Sequence, residues 1–248
     1  MSGHSKWATI KRKKGAADAA RGKIFTRLIR EISIAAREGG GDPEGNPRLR
    51  LAIQKAKAQN MPSENITRGI KRGTGELEGQ SFEEVTYEGY GPGGCAIMVD
   101  VITDNRNRTV SEMRHMFSKY GGNLAESNAV AYMFERKAVI ELNPGDKSED
   151  DVMMAALEAG AADVVQEEDG SYTVTGEPGE LESIHSGLEA LGVEILSAES
   201  TMVPNTLVNV EDKHASSLIK LMDALDDHDD VQKVYSNFDI DPSLLEEE

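Results

Sequence analysis

The stretch that decides the fold begins with AVIEL at residues 138–142 and continues with SEDDVMMAALEAG at residues 148–160. The first has the length and composition of a buried strand, and the second has the apolar periodicity of a helix. Beyond them, ADVVQEE and SYTVTG predict a hairpin, ELESIHSGLEALG a helix and VEILSAESTMV a strand. The order β-α-β-β-α-β is that of a ferredoxin-like domain. We therefore expect residues 137–204 to form such a domain.

The segments on either side of this domain complement each other. FEEVTYEGY, the turn GPGG and CAIMVDVIT predict a hairpin, and a helix and a strand over AVAYMFER, residues 129–136, follow it. After Pro204, TLVNV, DKHASSLIKLMDALDD and VQKVYSNF predict a further strand, helix and strand. We therefore expect a discontinuous α/β domain, residues 81–136 plus 205–240, with the ferredoxin-like domain inserted between its halves.

Residues 1–80 predict a basic helical domain that begins with an arm. Apolar residues recur at spacings of three and four from Ile24 to Ala36 and indicate a helix that ends at the glycines 39–41. Asn46 and Pro47 have the residue types of an N-cap and a first helical position. A third helix follows Pro62 and stops at Gly73. The predicted fold class is α+β: a three-helix domain plus two α/β domains, one ferredoxin-like and inserted into the other.

Charge is distributed very unevenly along the chain. Residues 1–75 contain 17 Lys and Arg against 6 Asp and Glu, whereas the rest contains 10 against 38, and the whole chain has a net charge of −17. A basic front attached to an acidic body indicates a module that contacts a polyanion, while the body repels it.

The opening SGHSKWATIKRKKGAADAARGK, residues 2–23, contains seven basic residues and one acidic residue. Lys and Arg neutralise phosphates and release counterions without sequence preference. Trp7 could stack on a base or pack the arm onto the helices, and packing is the commoner role. His4 lies beside serines, but nothing near it would orient it for catalysis, so we assign it a polar contact. The nucleic-acid-binding residues predicted in the first domain are His4, Lys6, Trp7, Lys11, Arg12, Lys13, Lys14, Arg21, Lys23, Arg27, Lys71 and Arg72.

A second basic stretch, TDNRNRT at residues 103–109, interrupts the acidic body where a strand precedes a helix. The amino end of a helix attracts anions, so we predict nucleic-acid contacts from Asn105, Arg106 and Arg108. The alternative is an ordinary turn in which Asn107 or Thr109 caps the helix, and the sequence favours neither interpretation.

Other motifs are interpreted as structural. The acidic run DDHDD, residues 226–230, lacks the spacing of a calcium loop and is predicted to be a solvated turn. The glycine-rich stretches lack the spacing of nucleotide loops, and GYGPGG is predicted to be a hairpin turn. Cys95 is the only cysteine and is predicted to be a core residue, which fits a reducing cytosol. No apolar run approaches the roughly 20 residues of a membrane span, and no metal site, cofactor or small-molecule substrate is expected.

Four stretches together resemble the YebC/PmpR family over nearly the whole chain: SGHSKWATIKRKKGAADAARGKIFTRLIREI, DPEGNPRLRLAIQKAKAQNMP, YEGYGPGG and TDNRNRT. The resemblance implies three domains, the first helical and the other two α/β. Bacterial members are described as probable transcriptional regulators that bind DNA, and relatives in bacteria and mitochondria act in translation at the ribosome. The resemblance therefore implies a cytoplasmic, non-enzymatic regulator of gene expression.

We expect a nucleic-acid-binding regulator whose partner is DNA or ribosomal RNA, with basic ribosomal proteins as a further partner for the acidic domains. No helix has the pattern of a helix-turn-helix reader of bases, whereas phosphate and shape recognition needs less. One alternative is an acidic protein-binding adaptor whose basic arm is incidental. The other is an enzyme that acts on a phosphorylated small molecule, for which the sequence offers no triad and no metal ligand set.

Overall fold

Seven α-helices and ten β-strands form in the residues that the computed structural model describes, 20–77, 81–167 and 169–240. The helices are α1 (Ala20–Gly39), α2 (Pro47–Ala58), α3 (Ser63–Gly73), α4 (Arg106–Lys119), α5 (Glu149–Glu158), α6 (Leu181–Leu191) and α7 (Asp212–Asp226). The strands are β1 (Glu83–Tyr90), β2 (Ala96–Thr103), β3 (Asn123–Leu124), β4 (Phe134–Asn143), β5 (Asp163–Gln166), β6 (Tyr172–Gly176), β7 (Glu194–Pro204), β8 (Val208–Asn209), β9 (Val231–Ser236) and β10 (Phe238–Asp239). The fold class is α+β, as predicted.

The chain divides into two compact units that alternate along the sequence. The described part of one unit, called the second unit below, contains residues 132–167, 169–208 and 235–239. The described part of the other contains residues 20–77, 81–131, 209–234 and 240, so the three N-terminal helices and the first sheet belong to the same unit. The finer division into three domains, with boundaries at residues 80, 136 and 204, stays a prediction.

The three N-terminal helices share one apolar core, which forms because each helix has an apolar stripe at helical spacing. Asn46 caps α2 as predicted: its side chain accepts a hydrogen bond from the backbone N–H of Leu49 at 3.0 Å, and Pro47 is the first helical residue. A Cβ on Gly73 would lie 2.2 Å from the carbonyl oxygen of Ser33, so the end of α3 lies against α1. The buried core consists of Ile32, Ala35, Ala36, Leu49, Ala52, Ile53, Ala56, Met61 and Ile66.

Helix α1 also packs against the sheet of the same unit. Ile34 of α1, Phe82 and Ile102 of β2 form a small buried cluster. Arg48 of α2 forms ion pairs with Glu31 of α1 at 2.9 Å and with Glu84 of β1. Both apolar burial and ion pairs therefore join the helical part to the α/β part.

The first sheet has the strand order β3-β1-β2-β9. Strands β1 and β2 form the predicted antiparallel hairpin, with Glu83 opposite Thr103 and Tyr90 opposite Ala96. Strand β9 neighbours β2 although more than a hundred residues separate them in the sequence. The two segments on either side of the second unit therefore build one sheet, as their patterns predicted.

The turn of this hairpin is a packing site. Gly93 and Gly94 have φ angles of 81° and 78°, a region that favours glycine. A Cβ on Gly91 would lie within 3.0 Å of side-chain atoms of Cys95, Ile97 and Leu218. Cys95 itself is fully buried, as predicted. The glycine-rich motif therefore serves a tight turn and close packing against α7.

The second unit has the sheet order β5-β6-β4-β7, with every neighbouring pair antiparallel. With α5 after β4 and α6 after β6, this is the predicted ferredoxin-like arrangement. Gly187 allows the two helices to approach, since a Cβ there would lie 2.6 Å from that of Ala159. The core consists of Ile140, Leu142, Val152, Ala156, Ala161, Tyr172, Val174, Ile184, Leu188 and Val193.

One predicted strand is wrong. Residues 129–136 do not form a separate strand: Ala131–Met133 is a short 3₁₀ turn, and β4 runs without a break from Phe134 to Asn143. Along β4, pairing with β6 starts at Ala138, whereas pairing with β7 starts earlier, at Phe134. The first residues of β4 therefore pair with β7 alone, where charged side chains can stay exposed. In the sequence, these charged residues suggest that one strand ends and another begins. The strand after α4 is the two-residue β3.

Candidate functional site

The predicted contact residues fall into three groups in the structure. His4, Lys6, Trp7 and Lys11–Lys14 lie outside the described residues, and so does the side chain of Arg21, whose backbone belongs to α1. Lys23 and Arg27 on α1 and Arg108 on α4 contact an acidic segment, residues 226–230, at the end of α7. The residues on α3, Lys71 and Arg72, are exposed elsewhere on the same unit.

Asp230 is the centre of the acidic segment, and only 2% of its side chain is exposed. Its Oδ2 accepts hydrogen bonds from Thr109 Oγ1 at 2.6 Å, from Arg108 Nη2 at 2.6 Å and from Thr103 Oγ1 at 3.1 Å. Its Oδ1 forms an ion pair with Arg30 Nη1 at 2.7 Å. The predicted solvated turn is thus wrong for this residue, because side chains of β2, α4 and α1 enclose it.

The environment keeps this carboxylate ionised. Burial on its own would raise the pKa of Asp230, but the hydrogen bonds from Thr109 and Arg108 and the charges of Arg30 and Arg108 outweigh burial and lower the pKa. In turn, the hydrogen bond with Asp230 raises the pKa of Arg108. The predicted anion site at the start of α4 therefore contains an anion, and that anion is a side chain of the same protein.

Two further basic residues of α1 form ion pairs with the acidic segment. Lys23 Nζ lies 2.8 Å from Asp227 Oδ1, and Arg27 Nη2 lies 3.7 Å from Asp226 Oδ1 and donates to the Asp226 carbonyl oxygen. Two predicted nucleic-acid contacts, Lys23 and Arg27, are thus engaged by carboxylates of the acidic segment. Their role in binding nucleic acid stays a prediction.

The three residues predicted to bind at the start of α4 differ in their roles and exposure. Asn105 is the N-cap, since its side chain accepts a hydrogen bond from the backbone N–H of Arg108 at 3.1 Å. The capping roles considered for Asn107 and Thr109 are therefore wrong. Arg106 is exposed, and its carbonyl oxygen accepts a weak 3.4 Å hydrogen bond from Tyr87. Of the two arginines, Arg106 is the one that projects a charge to solvent without a described carboxylate partner.

A potential metal site at this position is disfavoured by its hydrogen bonds. Ligand atoms of Glu112, His228 and Asp230 lie within 4.8 Å of one another. However, His228 Nδ1 accepts the backbone N–H of Asp230 at 3.1 Å, which places the ring proton on Nε2, where it faces Glu112 Oε2 at 2.9 Å. A protonated nitrogen cannot ligate a metal, so these three residues form a satisfied polar network.

Helix α2 presents cations that the sequence analysis left out of the site. Arg50, Gln54 and Lys57 recur at helical spacing on one side, Lys55 lies on another part of the exposed surface of the helix, and all four are exposed. Within the described ranges, neither these cations nor Lys71 forms an ion pair. Leu51, which is 52% exposed, lies next to this row. The signal was present in the sequence as PRLRLAIQKAKA, where every large apolar position but Leu51 falls on the core side.

Arg72 differs from Lys71 because it is held by an aromatic ring. Its guanidinium carbon lies 4.9 Å from the centre of the Phe82 ring, and that of Arg30 lies 5.6 Å from the same centre. Such cation–π contacts orient the side chain while leaving its N–H groups able to donate elsewhere. Arg72 is therefore both exposed and oriented.

Comparison with known proteins gives consistent matches along the chain. Residues 5–76 match the family model described as the TACO1/YebC protein N-terminal domain, and residues 82–238 match the TACO1/YebC second and third domain. No described helix is long and apolar enough to cross a membrane.

Individual relatives match over almost their full length. A "probable transcriptional regulatory protein" of Sulfurihydrogenibium sp. is 57% identical over 99% of this chain and 98% of its own. One of the same description from Desulfotalea psychrophila is 56% identical over 100% of this chain and 99% of its own. The crystal structure of a conserved hypothetical protein of Aquifex aeolicus has a TM-score of 0.78 and 52% identity, and the match covers 90% of this chain and 92% of that one.

Proposed function

Since the chain belongs to the TACO1/YebC family, we propose that it is a non-enzymatic regulator of gene expression that binds nucleic acid through its basic N-terminal helices. The observation that carries the proposal is the row of exposed cations on α2 with no described carboxylate partner. Unpaired Lys and Arg are free to neutralise phosphates, whereas Lys23 and Arg27 on α1 already have acidic partners.

The negative charge of the second unit also favours binding of nucleic acid through α2. Residues 132–208 contain 17 Asp and Glu against 3 Lys and Arg, so this unit repels a polyanion. Nucleic acid would then contact the α2 side and be kept off the rest. DNA and ribosomal RNA both present phosphates to such a surface, and both are proposed partners in the cytoplasm.

A second role is favoured by one feature of the acidic unit. Helix α5 exposes Met153, Met154 and Leu157 on neighbouring turns, and Glu149 and Glu158 lie at its ends. Apolar side chains among acidic ones suit a basic protein segment. Basic proteins, including ribosomal ones, are therefore proposed as partners of this unit, which makes a protein-binding adaptor the second candidate function.

Replacing Arg50, Lys55 and Lys57 together by alanine should weaken binding to a DNA or RNA duplex and flatten its salt dependence. Each lost phosphate contact lowers the slope of log K against log salt by about 0.9, so we expect a decrease of about 2.7. Fluorescence anisotropy titrations at several salt concentrations measure both quantities. The matched control replaces Arg136, Lys137 and Lys147, which removes the same charge from the acidic unit. Equal effects of the two triple variants would contradict the proposal.

The arm is tested by replacing Lys11, Arg12, Lys13 and Lys14 with alanine. We expect weaker binding to all sequences alike and a flatter salt dependence, because phosphate contacts have no sequence preference. The same titrations, with two duplexes of unrelated sequence, measure this. Affinity equal to that of the unaltered chain would show that the arm does not contact nucleic acid.

A further inference from the structure

Three basic residues on one side of helix α1 each form an ion pair with a carboxylate of the acidic segment. Lys23, Arg27 and Arg30 are spaced by four and three residues, so they share one side of the helix. Their partners are Asp227, Asp226 and Asp230 respectively. The acidic segment thus lies along the side of α1 that the sequence predicts to hold phosphates.

The pairing is tight at one end and loose at the other. Arg30 and Asp230 are 12% and 2% exposed, whereas Lys23 and Asp227 are 37% and 71% exposed. Exposed ion pairs contribute little because water and salt screen them, while a buried pair is costly to separate. Asp227 can therefore be exchanged for another anion while Asp230 keeps the segment anchored, and Asp226, whose side chain is 17% exposed, lies between these extremes.

Arg27 is incompletely satisfied in this arrangement. Its Nη2 contacts Asp226, but its Nε is buried and has no hydrogen-bond partner among the described residues. A guanidinium presents its N–H groups as a fork that fits two oxygens of one phosphate. A phosphate in place of the Asp226 carboxylate could accept from both nitrogens, so this position favours the larger anion.

We infer that Lys23 and Arg27 form a second phosphate-binding surface that the carboxylates of Asp226 and Asp227 cover, so that nucleic acid gains these two contacts only when the carboxylates are displaced or neutralised. The inference rests on the proposed function, since it adds contacts to a polyanion already held on α2. The acidic segment lowers the affinity of the free protein for nucleic acid and delays full contact until the outer carboxylates are displaced.

The test removes the two outer charges and keeps the side-chain size. The variant Asp226→Asn/Asp227→Asn is compared with Asp42→Asn/Glu44→Gln, which removes two exposed carboxylates from the loop before α2 of the same unit. The probe is a fluorescent duplex of about 20 base pairs, as DNA and as RNA, titrated between about 50 and 200 mM salt. Two additional contacts should steepen the salt slope by about 1.8 and tighten binding about tenfold at the low-salt end.

The control separates uncovering from a general loss of negative charge. We expect it to tighten binding modestly at an unchanged slope, and a slope change equal in both variants would overturn the inference. Adding Lys23→Ala/Arg27→Ala to the first variant should abolish its gain, and a gain that persists would also overturn it. The single Asp227→Asn change, at an exposed position, should steepen the slope by about half as much and keeps the test valid if the double variant is unstable.

Failure of this inference and failure of the proposed function give different results. If the α2 triple variant loses affinity while the acidic-segment variant behaves like its control, the surface on α1 is refuted and the function stands. If neither DNA nor RNA duplex binds the unaltered chain or any variant, the proposed function itself is refuted.

Discussion

Replacing Asp230 by asparagine is expected to lower the free energy of unfolding by about 3–5 kcal/mol. The change leaves Arg30 and Arg108 beside a neutral amide that cannot compensate their charges, and it replaces one of the two acceptor oxygens by an NH2 group that faces N–H or O–H donors. Urea denaturation at neutral pH measures the loss. The control Asp227→Asn removes an exposed carboxylate and should cost no more than about 1 kcal/mol.

The same carboxylate predicts how stability depends on pH. Because the pKa of Asp230 is lowered in the folded protein, its contribution is complete above the ordinary aspartate pKa of about 3.9 and is lost as the pH falls through the lower folded value. The difference in unfolding free energy between the unaltered chain and Asp230→Asn should therefore be constant near neutral pH and shrink below about pH 4. A difference that already shrinks between about pH 8 and 6 would contradict this assignment.

Replacing Glu88 by alanine is expected to cost about 2–4 kcal/mol of stability. The Glu88 carboxylate is almost fully buried and accepts the backbone N–H groups of Asn128, Val130 and Ala131 at 2.7, 2.8 and 2.9 Å. Without the carboxylate these three N–H groups lose their acceptor. Val130, which carries one of them, is fully buried. Denaturation measures the global effect, and hydrogen exchange at the three amides should accelerate.

The matched control for this change is Glu126→Ala. Glu126 is an exposed glutamate in the same loop, so its loss should alter stability by no more than about 0.5 kcal/mol. Similar losses in the two variants would mean that the loop does not depend on the Glu88 hydrogen bonds.

Local signals in the sequence predicted most of the fold because they act over a few residues. Asn46 followed by Pro47 fixes the start of α2, and the glycines after Tyr90 fix the hairpin turn. The order of elements from Ala138 onward was sufficient to identify the ferredoxin-like arrangement. These features depend on backbone geometry and periodicity, which neighbouring residues determine.

The acidic segment could not be predicted from local pattern. Five residues, DDHDD, resemble a solvated turn, and Arg30, the more buried of the two arginines paired with Asp230, is two hundred positions away in the sequence. The same applies to β4, whose charged first residues are accommodated only because β7 extends beyond β6. Long-range partners decide the burial of charged residues, and one sequence does not reveal them.

Long-range partners also explain why the candidate binding residues in the structure differ from those predicted from the sequence. Composition correctly located the positive charge in the first third of the chain, but it could not distinguish paired from unpaired cations. Lys23 and Arg27 have carboxylate partners, whereas Arg50, Lys55 and Lys57 have none in the described ranges. The row on α2 is visible in the sequence only after the core side of that helix is known.

The position of β9 beside β2 has a consequence for how the protein is made. During synthesis on the ribosome, the hairpin of β1 and β2 emerges long before residues 231–236, and the whole ferredoxin-like unit is translated in between. The nascent chain must keep one edge of β2 unpaired and Arg30 without Asp230 until residues 230–236 have left the exit tunnel. Closing so large a loop is slow, so vectorial folding should finish with the insertion of this late strand.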